Sequence, residues 1–449
     1  MLLYLITCDC IIKMAGCQCR SFLFTTMPTP EADKLVEHLF RHEAGRMVAV
    51  LSRLFGLHNL YLAEDLVQEA FIKAHSEWKI NIPSNPSAWL MQVAKNKALD
   101  VLRRESVFKQ YSKELAAELS DNTTLTIEQY FHENEIADSQ LRMMFACCHP
   151  SLKQEDQVAL TLKTVSGFSM QEIAKALLTN ESVIQKRLHR AKTFLQQNNI
   201  ELEIPAGNEL INRLETVYTV LYLLFNEGYN SLKTDELIRR DLCGEAMRCC
   251  KLLGEHKAGN KPATHALLSL MCFHAARFDS RLDEDNHIIL LQKQDRSKWD
   301  QELIDMGRYY LNLSSSGDAL SVYHIESAIA AEHSLAKEFA CTNWERLLKL
   351  YNFLYEVKPT PVVQLNRAVV LAETGDIHAA IQHILSINDI EKLIKTDHIY
   401  SAVLGDLYKR LSDTIKANEY LQNAYDLTPS AAEKQLLQEK IKEVNEHKN

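Results

Sequence analysis

The stretch that most limits what this chain can become is Gly167 to Leu195, GFSMQEIAKALLTNESVIQKRLHRAKTFL. Ile173, Ala174 and Leu177 fall on one face of a short helix that Ser169 can cap, with Glu172 at the matching capping-box position. Leu178, Thr179 and Asn180 make the break. A second helix opens on Asn180 or Glu181 and keeps Val183, Ile184, Leu188, Ala191 and Leu195 at helical spacing on an inward face. Its other face carries Ser182, Gln185, Lys186, Arg187, His189, Arg190 and Lys192. Such donor-rich side chains reach base edges in a major groove or clamp the phosphates beside them. A solvated basic face is the plain alternative, since many helical pairs share this pattern.

The rest of the chain points to the same class. Only 13 Gly and 10 Pro occur in 449 residues, and alternating β-branched runs with turn pairs are hard to find, so the fold class is all-α. Length predicts two to four domains, and 46% hydrophobic with 24% charged residues suffices for a large core. A net charge of -9 argues against a general nucleic-acid coat, so any DNA contact is local or delivered by a partner.

Eleven Cys without a regular framework point to a reduced, cytoplasmic setting. Cys8, Cys10, Cys17 and Cys19 form two C-x-C pairs, and Cys147, Cys148 and His149 another cluster. Neither matches a zinc spacing, so no metal or cofactor is expected. Met1 to Thr26 is apolar but lacks the basic start of a secretory signal and is too short to span a bilayer. Pro28, Thr29 and an acidic helix start at Glu31 follow Met27, which is therefore expected to be the natural start. Residues 1–27 would then be an extension without a fold of its own.

From Lys34 to Leu57, Leu35, Leu39, Met47, Val50, Leu51 and Leu54 predict helices around a polar interruption at Arg41 to Gly45. In Leu62 to Trp78, Ala63, Leu66, Val67, Ala70, Phe71 and Ala74 form an apolar stripe opposite Glu64, Asp65, Gln68, Glu69 and Lys73. Pro83 and Pro86 break that helix and start another, Ser87 to Glu105. There Leu90, Ala94, Ala98 and Val101 face inward while Lys95, Asn96, Asp100, Arg103 and Arg104 lie outside, with Trp89 near the entry. Rings beside cations suit single-stranded nucleic acid; a core Trp with a solvated face is the alternative.

EDLVQEAFIKAHSEW followed by NPSAWLMQVAKNKALDVLRRE resembles region 2 of the extracytoplasmic-function sigma factors of bacterial RNA polymerase. The Gly167 to Leu195 stretch resembles their region 4, in the right order. The resemblance implies that Asp65, Gln68 and Glu69 dock on the coiled coil of the polymerase β′ subunit, with the β subunit as a further contact. It implies that Trp89, Lys95, Asn96, Lys97, Arg103 and Arg104 lie near the −10 element and trap the melted strand. It assigns the −35 element to Ser182, Gln185, Lys186, Arg187 and Arg190, and it implies no catalysis and no membrane. Acidity is then no contradiction, because the polymerase supplies most of the DNA affinity.

On this reading region 2 occupies 28–105, a linker 106–137 and region 4 138–200. Leu141, Met144, Phe145, Val158, Leu160 and Leu162 support the reading pair by packing, and Cys147, Cys148 and His149 fill a helix end. Pro205 and Gly207 mark a boundary before a helical extension, 208–340. Its runs LYLLFNEGYN, RRDLCGEAMR and QDRSKWD resemble a sigma subgroup with a long C-terminal extension. Asn226, Glu227, Asp241, Asp295, Arg296 and Asp300 beside Tyr222, Phe225, Tyr229 and Trp299 either line a ligand pocket or tie helices together. The second is favoured because no nucleophile-and-base pair or phosphate loop accompanies them. In 341–445, Leu404, Gly405, Tyr408, Ala417, Ala424 and Pro429 fall on tetratricopeptide positions with a period of about 34 residues. A unit starting near Pro361 places Ala368, Gly375 and Ala380 compatibly. Such repeats bind proteins or peptides on a concave face, which would make this end the seat of a regulator.

Overall fold

A computed structural model describes residues 31–109, 129–177, 179–198, 200–229, 238–285, 287–317 and 319–446. The expected N-terminal extension with Cys8, Cys10, Cys17 and Cys19, and most of the expected linker, lie outside the described residues. The described chain is α-helical, with one isolated bridge between Leu282 and Ile288 and no strand. No helix among the described residues is long and apolar enough to cross a membrane.

Two compact units are present. The first takes the described residues up to Leu221 together with Glu255–Gly259. It contains α1 (Glu31–Phe55), α2 (Leu60–Glu77), α3 (Pro86–Lys109), α4 (Glu133–Cys147), α5 (Gln154–Thr164), α6 (Met170–Ala176) and α7 (Glu181–Gln197). The start of α8 (Gly207–Tyr229) completes it.

The polar interruption expected at Arg41 to Gly45 does not exist, and α1 runs unbroken from Glu31 to Phe55. Tertiary partners explain the difference. Arg41 pairs with Glu172 and lies 3.6 Å over the Phe168 ring, and Arg46 pairs with Glu43 at 3.0 Å and Glu133 at 2.5 Å. Gly45 is required by a close approach: a Cβ there would stand 2.1 Å from the Val165 carbonyl oxygen, so only hydrogen lets α1 lie on that segment.

The expected caps are formed. The Ser169 hydroxyl accepts from the Glu172 amide at 3.1 Å while the Glu172 carboxylate accepts from the Ser169 amide at 2.7 Å, a reciprocal capping box. Asn180 caps α7 by accepting from the Val183 amide at 3.0 Å. Ile173 and Ala174 of α6, and Ile184, Leu188, Ala191 and Leu195 of α7, are buried. That burial fixes which face of α7 is left outside.

The second unit runs from Tyr222 to Gly254 and from Asn260 onward. After the end of α8 come α9 (Arg240–Glu255) and α10 (Pro262–Ala275). Nearly every residue of α10 is buried, as befits a helix that is apolar all round, and α11 (Gln301–Ser314) and α12 (Val322–Leu335) pack against it. The remainder is α13 (Trp344–Val357), α14 (Pro361–Glu373), α15 (Ile377–Leu385), α16 (Ile390–Thr396), α17 (His398–Arg410), α18 (Thr414–Leu427) and α19 (Ala431–Glu446). Helix starts here carry side-chain caps at Thr360, Asp376, Asp397 and Asp413. The core is continuous across residue 341, since Ile325 and Ile329 cluster with Leu347, Tyr351, Leu354, Val363 and Val370. Gly405 sits where a Cβ would meet Leu421 at 2.7 Å, bringing α17 and α18 into close contact.

Candidate nucleic-acid interface

All three helices singled out for function belong to the first unit. On α2 the apolar stripe from Ala63 to Ala74 is buried and Asp65, Gln68 and Glu69 stand exposed as one acidic edge. Glu64, placed with them by sequence spacing, is half-buried and paired elsewhere.

On α3, Leu90, Ala94 and Ala98 are buried, which turns Asn96, Arg103 and Arg104 to solvent. Arg103 stands 3.6 Å from Asp100, an exposed pair of little strength. Lys95 and Lys97 are half-buried, and the Lys97 ammonium donates to Glu69 at 2.5 Å. Asn96 accepts from Gln92 at 2.9 Å. Trp89 is half-buried, edge-to-face against the buried Trp78 at 5.4 Å, with the Lys73 ammonium 5.8 Å over its ring. A groove of about 520 Å³ runs along this helix, lined among others by Asn85, Met91, Gln92 and Lys95.

On α7, Ser182, Gln185, Lys186 and Arg190 are exposed. Ser182 donates to the capping Asn180 at 2.7 Å, leaving Gln185 and Lys186 at the outer edge. The two arginines are engaged. Arg187 is only 11% exposed and donates to Glu155 at 2.8 Å. Arg190 makes a bidentate pair with Asp156, Nε to Oδ2 at 2.7 Å and Nη2 to Oδ1 at 2.5 Å; its side chain stays 51% exposed while that of Asp156 is 2% exposed. Both carboxylates lie in the first turn of α5, where the helix dipole favours negative charge.

Lys192, expected on the outward face, is a correction. It is buried, donates to both Glu64 oxygens at 2.7 and 2.5 Å, and stands 4.7 Å over the Tyr61 ring. Glu64, Glu155 and Asp156 were missed as partners because they lie 128, 32 and 34 residues from the cations they hold. The acidic first turn of α5 was the one local signal available.

Cys147 and Cys148 are buried, with thiols against Thr164 at 2.9 Å and Thr161 at 3.8 Å. Burial pushes both thiols up, Cys148 to about 12, which keeps them protonated in the helix packing. His149 packs on Phe194, and burial and then Arg213 lower its pKa. No group of three or more metal-ligating side chains occurs among the described residues.

In the second unit the aromatic members of the unusual runs, Tyr222, Phe225, Tyr229 and Trp299, turn inward, whereas Asp241, Asp295 and Asp300 are exposed. The Tyr222 hydroxyl donates to Glu326 at 2.9 Å, Arg281 donates to the Tyr229 carbonyl at 2.5 Å and lies 3.8 Å over its ring, and the Arg239 amide donates to the Gly228 carbonyl at 2.7 Å. Arg277 and Arg296 flank Trp299, 5.3 and 4.5 Å from its ring, and the Asp300 amide donates to the Ala276 carbonyl at 2.8 Å. The cavity among Tyr222, Asn226, His274, Arg277, Glu326 and His333 measures about 30 Å³, room for about two waters. The contacts of Tyr222, Tyr229, Arg239 and Asp300 tie neighbouring segments together.

Three segments match known families: 39–107 matches Sigma-70 region 2, 142–195 matches Sigma-70 region 4, and 213–315 matches a family of unknown function, DUF6596. An uncharacterized protein of Rhizobium meliloti (strain 1021), R00370, is 32% identical over 377 residues, 84% of this chain and 88% of that protein. The ECF RNA polymerase sigma factor SigE of Mycolicibacterium smegmatis is 28% identical over 160 residues, 36% of this chain and 60% of the relative. The ECF RNA polymerase sigma factor SigX of Bacillus subtilis is 25% identical over 138 residues, 30% of this chain and 69% of the relative. No solved structure matches.

Proposed function

The chain belongs to the extracytoplasmic-function sigma factors, in a form with a long C-terminal helical extension, and from that premise we propose how its surfaces divide the work. As a sigma factor it serves transcription initiation through RNA polymerase and DNA. Asp65, Gln68 and Glu69 dock on the β′ coiled coil of the core enzyme, whose β subunit gives a further contact. Trp89, Lys95, Asn96, Lys97, Arg103 and Arg104 meet the opened −10 strand, where Lys and Arg follow the backbone and a ring offers a stacking face. Ser182, Gln185 and Lys186 reach the −35 base edges, with Arg187 and Arg190 beside them on the phosphates or bases.

The observation that carries this reading is the sidedness of α7: one face is sealed into the core and the other presents Ser182, Gln185, Lys186 and Arg190. The extension acts as an attached regulator, its last helices forming tetratricopeptide-like pairs that take a protein or peptide partner. Reconstitution with core polymerase and genomic DNA, followed by sequencing of transcript starts, tests the reading. A discrete promoter set used only with the protein present is expected; its absence overturns the assignment.

A further inference from the structure

The two arginines of α7 are held differently, and the difference bears on what each can read. Asp156 takes one edge of the Arg190 guanidinium: Nε donates to Oδ2 at 2.7 Å and Nη2 to Oδ1 at 2.5 Å. A guanidinium is a rigid planar fork, so filling its Nε edge fixes the plane of the whole group. The opposite edge, Nη1 with the second hydrogen of Nη2, is left over on a side chain that is 51% exposed. Arg187 gives Glu155 a single bond from Nη2 at 2.8 Å and is only 11% exposed, so its fork would have to leave its cover to meet a base.

Asp156 is well placed to hold that plane. Its side chain is 2% exposed, in the first turn of α5. Gln157 beside it is also buried and anchors the turn by donating to the carbonyls of His149 at 2.9 Å and Leu152 at 3.2 Å. A buried carboxylate cannot be rehydrated where it stands, so losing Arg190 would strand it. Glu155, 44% exposed, can exchange its partner for water. The inner edge of Arg190 therefore stays on Asp156 when DNA approaches, while the outer edge exchanges water for a new partner. That outer edge matches the O6 and N7 acceptors that guanine presents together in the major groove. A phosphate fits the fork in shape, but its charge would stand against the Asp156 carboxylate behind it, whereas guanine carries no net charge.

Building on the assignment of α7 to the −35 element, we propose that Asp156 is a positioning residue for promoter reading: it locks the Arg190 fork so that the outer edge reads one guanine, while Arg187 reads no base. Asp156 touches no DNA and acts through Arg190 alone.

The test uses holoenzyme reconstituted from the full-length protein and core polymerase, on one promoter from the set that transcript-start sequencing yields, with its −35 positions randomised. Sequencing the transcripts gives the base preference at each position. Arg190→Ala is expected to erase the preference for G at one position. Asp156→Asn, nearly isosteric, is expected to lower that same preference about tenfold and to leave the other positions as they were, because the fork keeps its charge but loses its fixed plane. In an Arg190→Ala background Asp156→Asn is expected to change the profile no further. Arg187→Ala is expected to lower use of all the promoter variants together. An Arg190→Ala profile that keeps every preference overturns the inference. So does an Asp156→Asn profile that is unchanged or flattened at all positions, or an Asp156→Asn effect on the profile that persists without Arg190. An Arg187→Ala profile that loses the preference at a single position overturns it as well. Native holoenzyme that uses no discrete promoter set sinks the functional assignment, and this inference with it.

Discussion

The outer face of α7 and the aromatic and charged runs of the second unit look alike as sequence, yet the fold uses them oppositely. On α7 the guanidinium of Arg190 is half exposed even while it grips Asp156. Arg281, in the second unit, is enclosed against Tyr229, its side chain spent on a backbone carbonyl and a ring. A polar group held at the surface can change partners at little cost. One whose bonds are all internal cannot, because breaking them leaves unsatisfied groups in a poor solvent. Charge marks an interface only where the packing beneath it has left the charge outside.

Replacing Arg281 by Ala should sharpen that contrast most, costing about 2–4 kcal/mol of stability through a cavity and a stranded carbonyl. Thermal melting of the second unit reads it, and an unchanged melting temperature would break the comparison. Glu227 comes next. Burial raises its carboxyl to about 7, with Arg239 pulling the other way. A folded-state value above the usual 4.5 gives stability that is fully present below about 4.5 and lost as pH rises toward 7. Glu227→Gln should therefore melt like the native protein at pH 4.5 and higher at pH 8, by roughly 1–3 kcal/mol.

Arg190→Ala should fall between the two classes. It loses about 1–3 kcal/mol of stability, because Asp156, 2% exposed, is left without its bidentate partner, and weakens −35 duplex binding by about 1–3 kcal/mol if the guanidinium meets a base, less if it meets a phosphate. Fluorescence anisotropy beside a melting curve separates the two losses. Arg103→Ala should show the smallest structural effect, within about 0.5 kcal/mol in stability, while lowering the salt dependence of DNA binding by about one unit of slope. A large drop in melting temperature for Arg103→Ala would place it with the internal ties and undo its assignment.

Much of the site was legible beforehand. The inward faces of α2, α3 and α7 follow the apolar spacing, with Val101 and Val183 only half-buried at their margins, and the Ser169–Glu172 box and the Asn180 cap form where the sequence places them. Three readings needed the fold. Arg41 to Gly45 looked like a break because its polar side chains had no visible partners, and Lys192 looked solvent-facing because its angle on the helix is marginal. Tyr222 and Asn226 could have lined a ligand pocket, but the cavity they border measures only about 30 Å³.

The sequence by itself determined the all-α class, the approximate limits of α2, α3 and α7 and most of the face each one buries, because caps and apolar periods act over a few residues. Tertiary structure alone decided which charges are free and which are held. Glu155 reaches Arg187 across 32 residues, and Glu64 reaches Lys192 across 128. The strength of a charge pair depends on distance and burial, and neither exists until the helices have packed.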